Sequence, residues 1–535
     1  MSETELVAKT YKGIYGMHKY WSKKPFNLIH ELIIKNSKEG EIVLDPFCGS
    51  GISVIEAILS NRKAVGVDLN PAAIFITKQT LMKIDPELIQ KTYQNIQSKI
   101  AIPINELYKV ERENQNFTGT HFVWEKDKLV EVWYKDNNNK KIVELATKND
   151  IEFTNSFSYD NVNFFYPTEN LIANSRINAK NTMRVYDLFT PRNLLALSMI
   201  FNQIESIKEE NLKDLFKYCF TASIGQASRM VFVINTRGKM NGKRHRIPTK
   251  EIGSWVIGYW VPKQNFEINV WNCFTNRYNR ILKAKKDQFN FDYELNFCEN
   301  FSELQNKNLL LKNESALDFL KTIDSNTIDY VLTDPPHGNR IPFLELSLMW
   351  NSWLRKTANF EKELVVSDAK GRGKNIENYK ELFSKIIKEI TRVLKTKRTF
   401  TLVFNSLDDE TWKDIIDAIN ETELKLEKIG TMGYSAASVV QDNRTRGLKT
   451  DFVLNFVKST NKQSIKIKKI SAEKEKEMIH DLVQKMIQKN ESVRVYKIMN
   501  DVVGTLLEKG ISFNLSTILL EIDIATKQES SILNT

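Results

Sequence analysis

The rhythm of apolar and polar positions divides this chain into four stretches. In residues 1–85 the short apolar run Ile42–Leu44 leads through a glycine-bearing turn into a helical pattern at Ser53–Leu59, and Lys63–Asp68 (KAVGVD) returns to a strand pattern. Strand, helix and strand in that order form a βαβ unit, which predicts a parallel sheet. Residues 86–300 break the rhythm. Phe122–Tyr134 alternates apolar and polar residues up to the polar turn Asp136–Asn139, a β-hairpin pattern, and helical segments such as Leu194–Ile207 are mixed with aromatic and basic clusters. Residues 301–458 resume the first rhythm, with a strand at Asp329–Thr333, an amphipathic helix at Tyr379–Leu394 and a strand at Phe400–Phe404. Residues 459–535 open on the Lys-rich run KQSIKIKKISAEKEKEM and continue with helical periodicity. The expected fold is α/β: a doubly wound, mostly parallel sheet assembled from 1–85 and 301–458, an inserted α+β region at 86–300 and a helical C-terminal extension at 459–535.

Composition narrows the class. Hydrophobic residues are 41% and aromatics 10% of the 535 positions, as in folded proteins. No apolar run approaches the ~18–20 residues that span a bilayer. The N-terminus MSETELVAKTYKG has no apolar leader, so a cytoplasmic location is expected. Cys48, Cys219, Cys273 and Cys298 stand far apart with no CxxC pair, which argues against a zinc site or a disulfide framework, and no metal is implied. The formal net charge of +11, from 77 Lys+Arg against 66 Asp+Glu, favours a polyanionic partner.

Two segments carry chemistry. The first, Val43-Leu44-Asp45-Pro46-Phe47-Cys48-Gly49-Ser50-Gly51, lies where a strand gives way to a helix. Glycines at 49 and 51 allow a sharp turn and close approach of a ligand. Asp68 ends the next strand, where a carboxylate can accept hydrogen bonds from both hydroxyls of a ribose. The dinucleotide fingerprint GxGxxG is absent, since position 54 is Val, and so is a phosphate-binding GxxxxGK[ST] loop. A nucleoside cofactor without phosphates, S-adenosylmethionine, fits this short loop better than a dinucleotide does.

DPFCGSG resembles the cofactor motif of the amino-methylating DNA methyltransferases. Upstream, Tyr20-Trp21-Ser22-Lys23-Lys24-Pro25-Phe26 is similar to that family's Thr/Ser-x-Lys-Pro element, which heads a helix running into the first strand. The resemblance implies a Rossmann-like sheet and S-adenosylmethionine as cofactor. It places Ser22, Lys24 and Pro25 near the methionine end, with Asp45, Pro46, Phe47, Gly49, Gly51 and Asp68 as further cofactor contacts. Asn313-Glu314-Ser315-Ala316-Leu317-Asp318 has the form of the strand end that meets the cofactor's adenine. Asp318 is the candidate there, with a helix N-terminal carboxylate as the equal alternative.

The second segment is Asp329-Tyr330-Val331-Leu332-Thr333-Asp334-Pro335-Pro336-His337-Gly338. Pro335 and Pro336 fix φ and delete two backbone donors, leaving the Asp334 carboxylate and the carbonyl between the prolines as a rigid row of acceptors. An exocyclic amino group on a base is a poor nucleophile because its lone pair is delocalised into the ring. Two acceptors holding its hydrogens steer it towards tetrahedral geometry and stabilise the positive charge that develops on attack. Such a base must first be flipped out of the duplex. The family usually carries Tyr, Phe or Trp at the fourth position to stack on the flipped base. This chain has His337, a smaller planar ring, which leaves Phe343 or an aromatic of the middle region to share the stacking. Ile341–Leu354, Phe404-Asn405-Ser406 with Glu410-Thr411-Trp412, and Leu448–Leu454 also match one group of bacterial DNA methylases. The resemblance covers about half the chain.

More than 200 residues separate the two segments, and in this group such an insert usually carries target recognition. Arg237-Gly238-Lys239-Met240-Asn241-Gly242-Lys243-Arg244-His245-Arg246 is the leading candidate for double-stranded DNA contact, through Arg237, Lys239, Lys243, Arg244 and Arg246. The loop Lys370–Lys374 adds Arg372. Trp255, Tyr259 and Trp260 suit either base stacking or the core. Asp in DPPx leans towards adenine N6, since the N4-cytosine enzymes more often carry Ser there. An N4-cytosine enzyme, an RNA guanine-N2 methyltransferase and an inactive DNA-binding subunit remain the alternatives. A bacterial or phage modification enzyme, with a cognate nuclease as partner, is the expected setting.

Overall fold

The computed structural model describes residues 8–236, 239–240, 243–244, 249–339, 341–369, 371–405, 409–433, 450–460, 471–489, 495–509, 511, 513 and 515–532. The chain begins with helix α1 (Phe26–Asn36), which Pro25 heads with its fixed φ of −60°. Strand β1 (Ile42–Asp45), α2 (Ile52–Leu59), β2 (Lys63–Val67) and α3 (Pro71–Leu81) follow. The strands and the intervening helix form the βαβ unit expected from KAVGVD and the glycine turn. Asn70 caps α3 by accepting from the Ala72 N–H at 3.1 Å, with Pro71 at the first helical position, where its missing N–H costs nothing.

The middle of the chain forms its own sheet. After α4 (Pro86–Glu106) come β3 (Lys109–Arg112), β4 (Gln115–Glu125), β5 (Lys128–Lys135) and β6 (Lys141–Leu145), then α5 (Lys148–Asn155), α6 (Pro191–Glu205) and α7 (Glu210–Ile224). Strands β7 (Val233–Thr236), β8 (Lys239–Met240), β9 (Lys243–Arg244) and β10 (Thr249–Ile252) form two antiparallel ladders, β7 with β10 and β8 with β9. Strand β11 (Gln264–Ile268) joins the sheet β11-β4-β5-β6, with β3 on β4, and α8 (Val270–Phe289) leads away. The β-hairpin is present, but its turn is not the one expected. Lys126 and Asp127, at φ 47° and 62°, close β4 on β5, whereas Asp136–Asn139 joins β5 to β6. The turn falls in the charged run Glu125-Lys126-Asp127-Lys128, which carries neither the glycine nor the asparagine that usually marks a tight hairpin turn.

The last part supplies β12 (Phe297–Cys298), β13 (Leu309–Lys312), α9 (Ala316–Lys321), β14 (Ile328–Thr333), the short α10 (Phe343–Leu346) and α11 (Leu348–Trp353), α12 (Ile376–Val393), β15 (Leu394–Phe404), α13 (Asp409–Asn420), β16 (Leu424–Gly433) and β17 (Thr450–Lys458). Helices α14 (Ala472–Lys489), α15 (Val495–Glu508) and α16 (Leu515–Ile532) end the described chain. Strands from both ends of the sequence combine into an eight-stranded sheet of order β12-β13-β2-β1-β14-β15-β17-β16. The pairs from β12 through β15 are parallel, and β17 and β16 add an antiparallel edge.

Both faces of this sheet are covered, as a parallel sheet requires. Val43, Ala64 and Tyr330 pack into one core with α1, α2, α3 and the middle region. Their strand neighbours Leu44, Val65 and Val331 pack into a second with α9, α12, α13 and the C-terminal helices. The period-two alternation of strand residues thus assigns each to one core or the other.

The middle region is held by a buried ion pair. Arg192 reaches Glu267 through Nη2–Oε2 at 2.6 Å and Nε–Oε1 at 3.0 Å, with both side chains almost fully buried. Trp124 Nε1 donates to the same carboxylate at 2.9 Å, and the guanidinium lies 4.0 Å from the Phe122 ring centre. Burial pushes Glu267 up, but Arg192 more than offsets it, so its carboxyl sits below the usual range. Arg192→Met strands that carboxylate without its counter-ion and is expected to cost about 3–5 kcal/mol. The measurement is the urea unfolding midpoint at neutral pH. Arg192→Met with Glu267→Leu should recover part of the loss.

Candidate active site

Strands β2 and β14 flank β1 on opposite sides, so the chain direction of assembly switches at β1. In open α/β sheets ligands bind in the crevice beyond the carboxyl ends of the strands at such a point. Here the ends of β1 and β14 open into a cavity lined by the glycine turn, Asp68 and Asp334.

Asp45 forms the floor between the strands. Its Oδ1 accepts from Thr333 Oγ1 at 2.7 Å and from the Phe47 N–H at 3.0 Å, while Oδ2 accepts from Ser53 Oγ on α2. One carboxylate therefore ties β1, β14 and α2 together. The turn above it passes through Gly49 and Gly51 at φ 51° and 76°. A Cβ at Gly51 would lie 2.3 Å from the Thr77 methyl, so both the backbone and the packing of α3 demand glycine there. Asp68 accepts from the Gly49 N–H and the Asn70 N–H, each at 2.8 Å, so the acid at the end of β2 also fixes the glycine turn.

Ser22, Lys24, Asp45, Pro46, Phe47, Gly49, Asp68, Asp334 and Pro336 all face the cavity, although they come from three separate parts of the sequence. Pro25 and Gly51 are not among its lining residues and sit at the N-caps of α1 and α2. Lys24 was expected at the methionine end of a cofactor. It lines the cavity, and its Nζ sits 3.0 Å from Asp334 Oδ2 and 2.6 Å from Asp451 Oδ2. Asp318 is placed in the first turn of α9, half-exposed and paired with Lys362 at 2.8 Å, which is the helix-terminal alternative. Its neighbours Ser315 and Ala316 line the cavity instead.

The Asp-Pro-Pro turn is braced from outside. Tyr379 Oη donates to the Pro336 carbonyl at 2.6 Å, and the Val366 N–H donates to the Gly338 carbonyl at 3.1 Å. The His337 side chain is 6% exposed, its ring 4.5 Å from Phe404 and tilted by 58°, and it does not line the cavity. Phe343 does, stacked at 15° on Tyr20 with ring centres 5.9 Å apart.

Two residues of the site lay outside the motif reading. Asn70 donates to Ser347 Oγ at 2.7 Å and accepts from Asn351 at 3.1 Å, joining the end of β2 to α11. Its only sequence signal was its place two residues after Asp68. Glu363, buried on the cavity wall, pairs with Arg372, and no motif surrounds it. Arg372, expected to face DNA, is turned inward: its guanidinium binds Glu345 at 2.6 Å as well as Glu363 and is nearly buried. Of the other basic candidates, Arg237 and Arg246 lie outside the described residues. Lys239, Lys243 and Arg244 stand on the β8–β9 ladder. Of the aromatics, Trp255 and Tyr259 are core residues, while Trp260 is half-exposed.

The cavity is acidic. Burial raises Asp45 to about 6 against the hydrogen bonds that lower it, and raises Asp68 to about 7, with Asp45 and Glu363 nearby adding to the effect. Burial raises Glu363 as well, despite Arg372. Such a pocket suits a cation with an apolar body. Among the described residues no group of His, Cys, Asp and Glu could hold a metal ion, and no helix is long and apolar enough to cross a membrane.

Comparison with known proteins finds DNA methylases. A family model described as DNA methylase matches residues 3–79, which contain the Lys-Pro element, the glycine turn and Asp68. Type II methyltransferase M.MjaII of Methanocaldococcus jannaschii is 23% identical over 210 residues, covering 38% of this chain and 38% of that protein. Type II methyltransferase M.HpaI of Haemophilus parainfluenzae is 40% identical over 60 residues, 11% of this chain and 19% of its own. DNA adenine methyltransferase YhdJ of Escherichia coli is 39% identical over 64 residues, 12% of this chain and 21% of its own. Over these stretches the chain is similar to the amino-methylating DNA methyltransferases. The matched stretches span less than two-fifths of each of these methyltransferase relatives.

Asp45, Asp68 and Glu363 hold protons more tightly in the fold than in the open chain, where Asp titrates near 3.8. Their ionisation therefore weakens the cofactor-free fold as pH rises from about 4 through about 7. A cationic ligand reverses the preference. Affinity of the cavity for a cationic ligand is expected to rise with pH, by about tenfold from pH 6 to 7 for one proton released. Calorimetry in buffers of different ionisation enthalpy measures that release, which should be present near pH 6 and gone near pH 8.

Proposed function

We propose that this chain is an S-adenosylmethionine-dependent methyltransferase that methylates the exocyclic amino group of a flipped base in double-stranded DNA, with adenine N6 the favoured target. The observation that carries this reading is the placement of the Asp334 carboxylate across one cavity from the glycine turn at 49–51. Two halves of a transfer site, separated by the long middle region, end on neighbouring strands.

The residues fit the cofactor. The turn at Gly49 leaves room for close approach, Asp68 stands where ribose hydroxyls would be bound, and the carboxylates around the cavity suit a sulfonium and an ammonium. When bound, S-adenosylmethionine supplies an electrophilic methyl group. The chain does the rest. Asp334 accepts an N–H of the target amino group, and the Pro335 carbonyl, which accepts no hydrogen bond among the described residues, takes the other. Phe343 and Tyr20 offer the flat apolar surface against which the base is held, a task that His337, packed on Phe404, does not perform. The braces from Tyr379 and Val366 keep the acceptor row rigid, so little reorganisation accompanies transfer.

The positive surplus and the basic strand pair β8–β9 support DNA as substrate, and residues 86–300 are the proposed recognition region. Adenine is favoured because Asp, rather than Ser, precedes the two prolines, and because one relative is by name a DNA adenine methyltransferase.

The test is methyl transfer from labelled S-adenosylmethionine to duplex DNA of mixed sequence, followed by nucleoside analysis. N6-methyladenine is expected. N4-methylcytosine alone would overturn the adenine assignment, and label only in structured RNA would overturn DNA. Asp334→Ala should reduce transfer by about 100- to 1000-fold while calorimetric cofactor binding persists.

A further inference from the structure

We infer that Lys24 and Asp451 are positioning residues for Asp334, an inference that rests on the methyltransferase reading above. Lys24 lies just before α1, Asp334 at the end of β14, and Asp451 on β17, the antiparallel strand beside β15. The fold brings these three distant positions into one line: Asp451 Oδ2 is 2.6 Å from Lys24 Nζ, which is 3.0 Å from Asp334 Oδ2.

Exposure assigns a task to each. The Asp451 side chain is 1% exposed and that of Lys24 is 8% exposed, whereas Asp334 keeps 24%. A buried carboxylate and a buried ammonium at 2.6 Å attract each other strongly away from water and fix each other's position. Asp451 thus anchors Lys24, and Lys24 presents its charge to Asp334 from a fixed point. Asp334 Oδ1 is buried beside His337 Nε2 at 3.0 Å, but neither atom has an aligned hydrogen-bond partner. The carboxylate therefore meets the cavity by its Oδ2 edge, the edge that Lys24 holds. An incoming amino group finds that oxygen already oriented, and it shares the oxygen with a cation that cannot follow it out. Lys24 acts on the geometry of Asp334, and Asp451 acts through Lys24.

The test compares Lys24→Met, Lys24→Arg, Asp451→Asn and the double variant Lys24→Met/Asp451→Asn. Each is measured for single-turnover methyl transfer at saturating S-adenosylmethionine, calorimetric affinity for that cofactor, and thermal unfolding. Lys24→Met and Asp451→Asn should each slow transfer by about 30- to 100-fold. Cofactor affinity should change by less than about threefold. Lys24→Arg should recover most of the rate, because it restores a cation between the carboxylates. The double variant should be no slower than Lys24→Met, as expected when one residue works through the other. Loss of affinity with an undiminished rate at saturation would overturn the inference and make Lys24 a cofactor ligand, and multiplying effects in the double variant would overturn the relay. If Lys24→Met does not fold, the rates of Lys24→Arg and Asp451→Asn decide. Wild-type protein that transfers no methyl group to DNA sinks the function itself, whereas active wild type with an unimpaired Lys24→Met sinks only this inference.

Discussion

The site exists because β1 and β14 are parallel neighbours. Val43 pairs with Tyr330 and Leu44 with Val331, so the next residues, Asp45 and the Thr333–Asp334 end, emerge side by side. Strands in a sheet stand only about 4.8 Å apart. The Thr333–Asp45 hydrogen bond closes that gap and gives the buried Asp45 one of the donors it needs. Everything the cavity can do, from the acid on β2 to the acceptor row on β14, is measured from this seam.

Rigidity around the seam comes from polar groups that serve two neighbours. Asp68 secures both the glycine turn and the start of α3, and Asn70 reaches across to α11. The middle region contributes as well. Tyr259 donates to the carbonyls of Glu345 and Leu346 at 2.8 and 2.9 Å, and Asn174 binds the Glu345 carboxylate, so the short helix after the Asp-Pro-Pro turn is held from both sides. The proposed recognition region is thus structurally continuous with the cavity wall.

How much of this was legible in the sequence depended on whether the signal was local. The βαβ unit, the glycine turn and the strand into Asp334 each announce themselves within a dozen residues, through periodicity and φ-restricted residue types. The order of strands was implied only by the expectation of one shared sheet. The turn at Lys126–Asp127 carried no glycine and stayed hidden. Arg372 looked like a DNA contact because a flexible basic loop and a buried salt bridge are identical in one dimension; the difference lies in Glu345 and Glu363, which only folding brings near. Lys24 was read from its motif alone, and its partner Asp451 sits more than 400 residues away.

The split of the sheet between the two ends of the chain sets a schedule for synthesis. Residues 42–67 leave the ribosome as a strand–helix–strand unit, but the partner for the other edge of β1 begins only at Ile328. At about 5–20 residues per second that wait is on the order of 15–60 s. Throughout it the nascent chain exposes an apolar strand with unpaired amides, the kind of edge that other chains can capture.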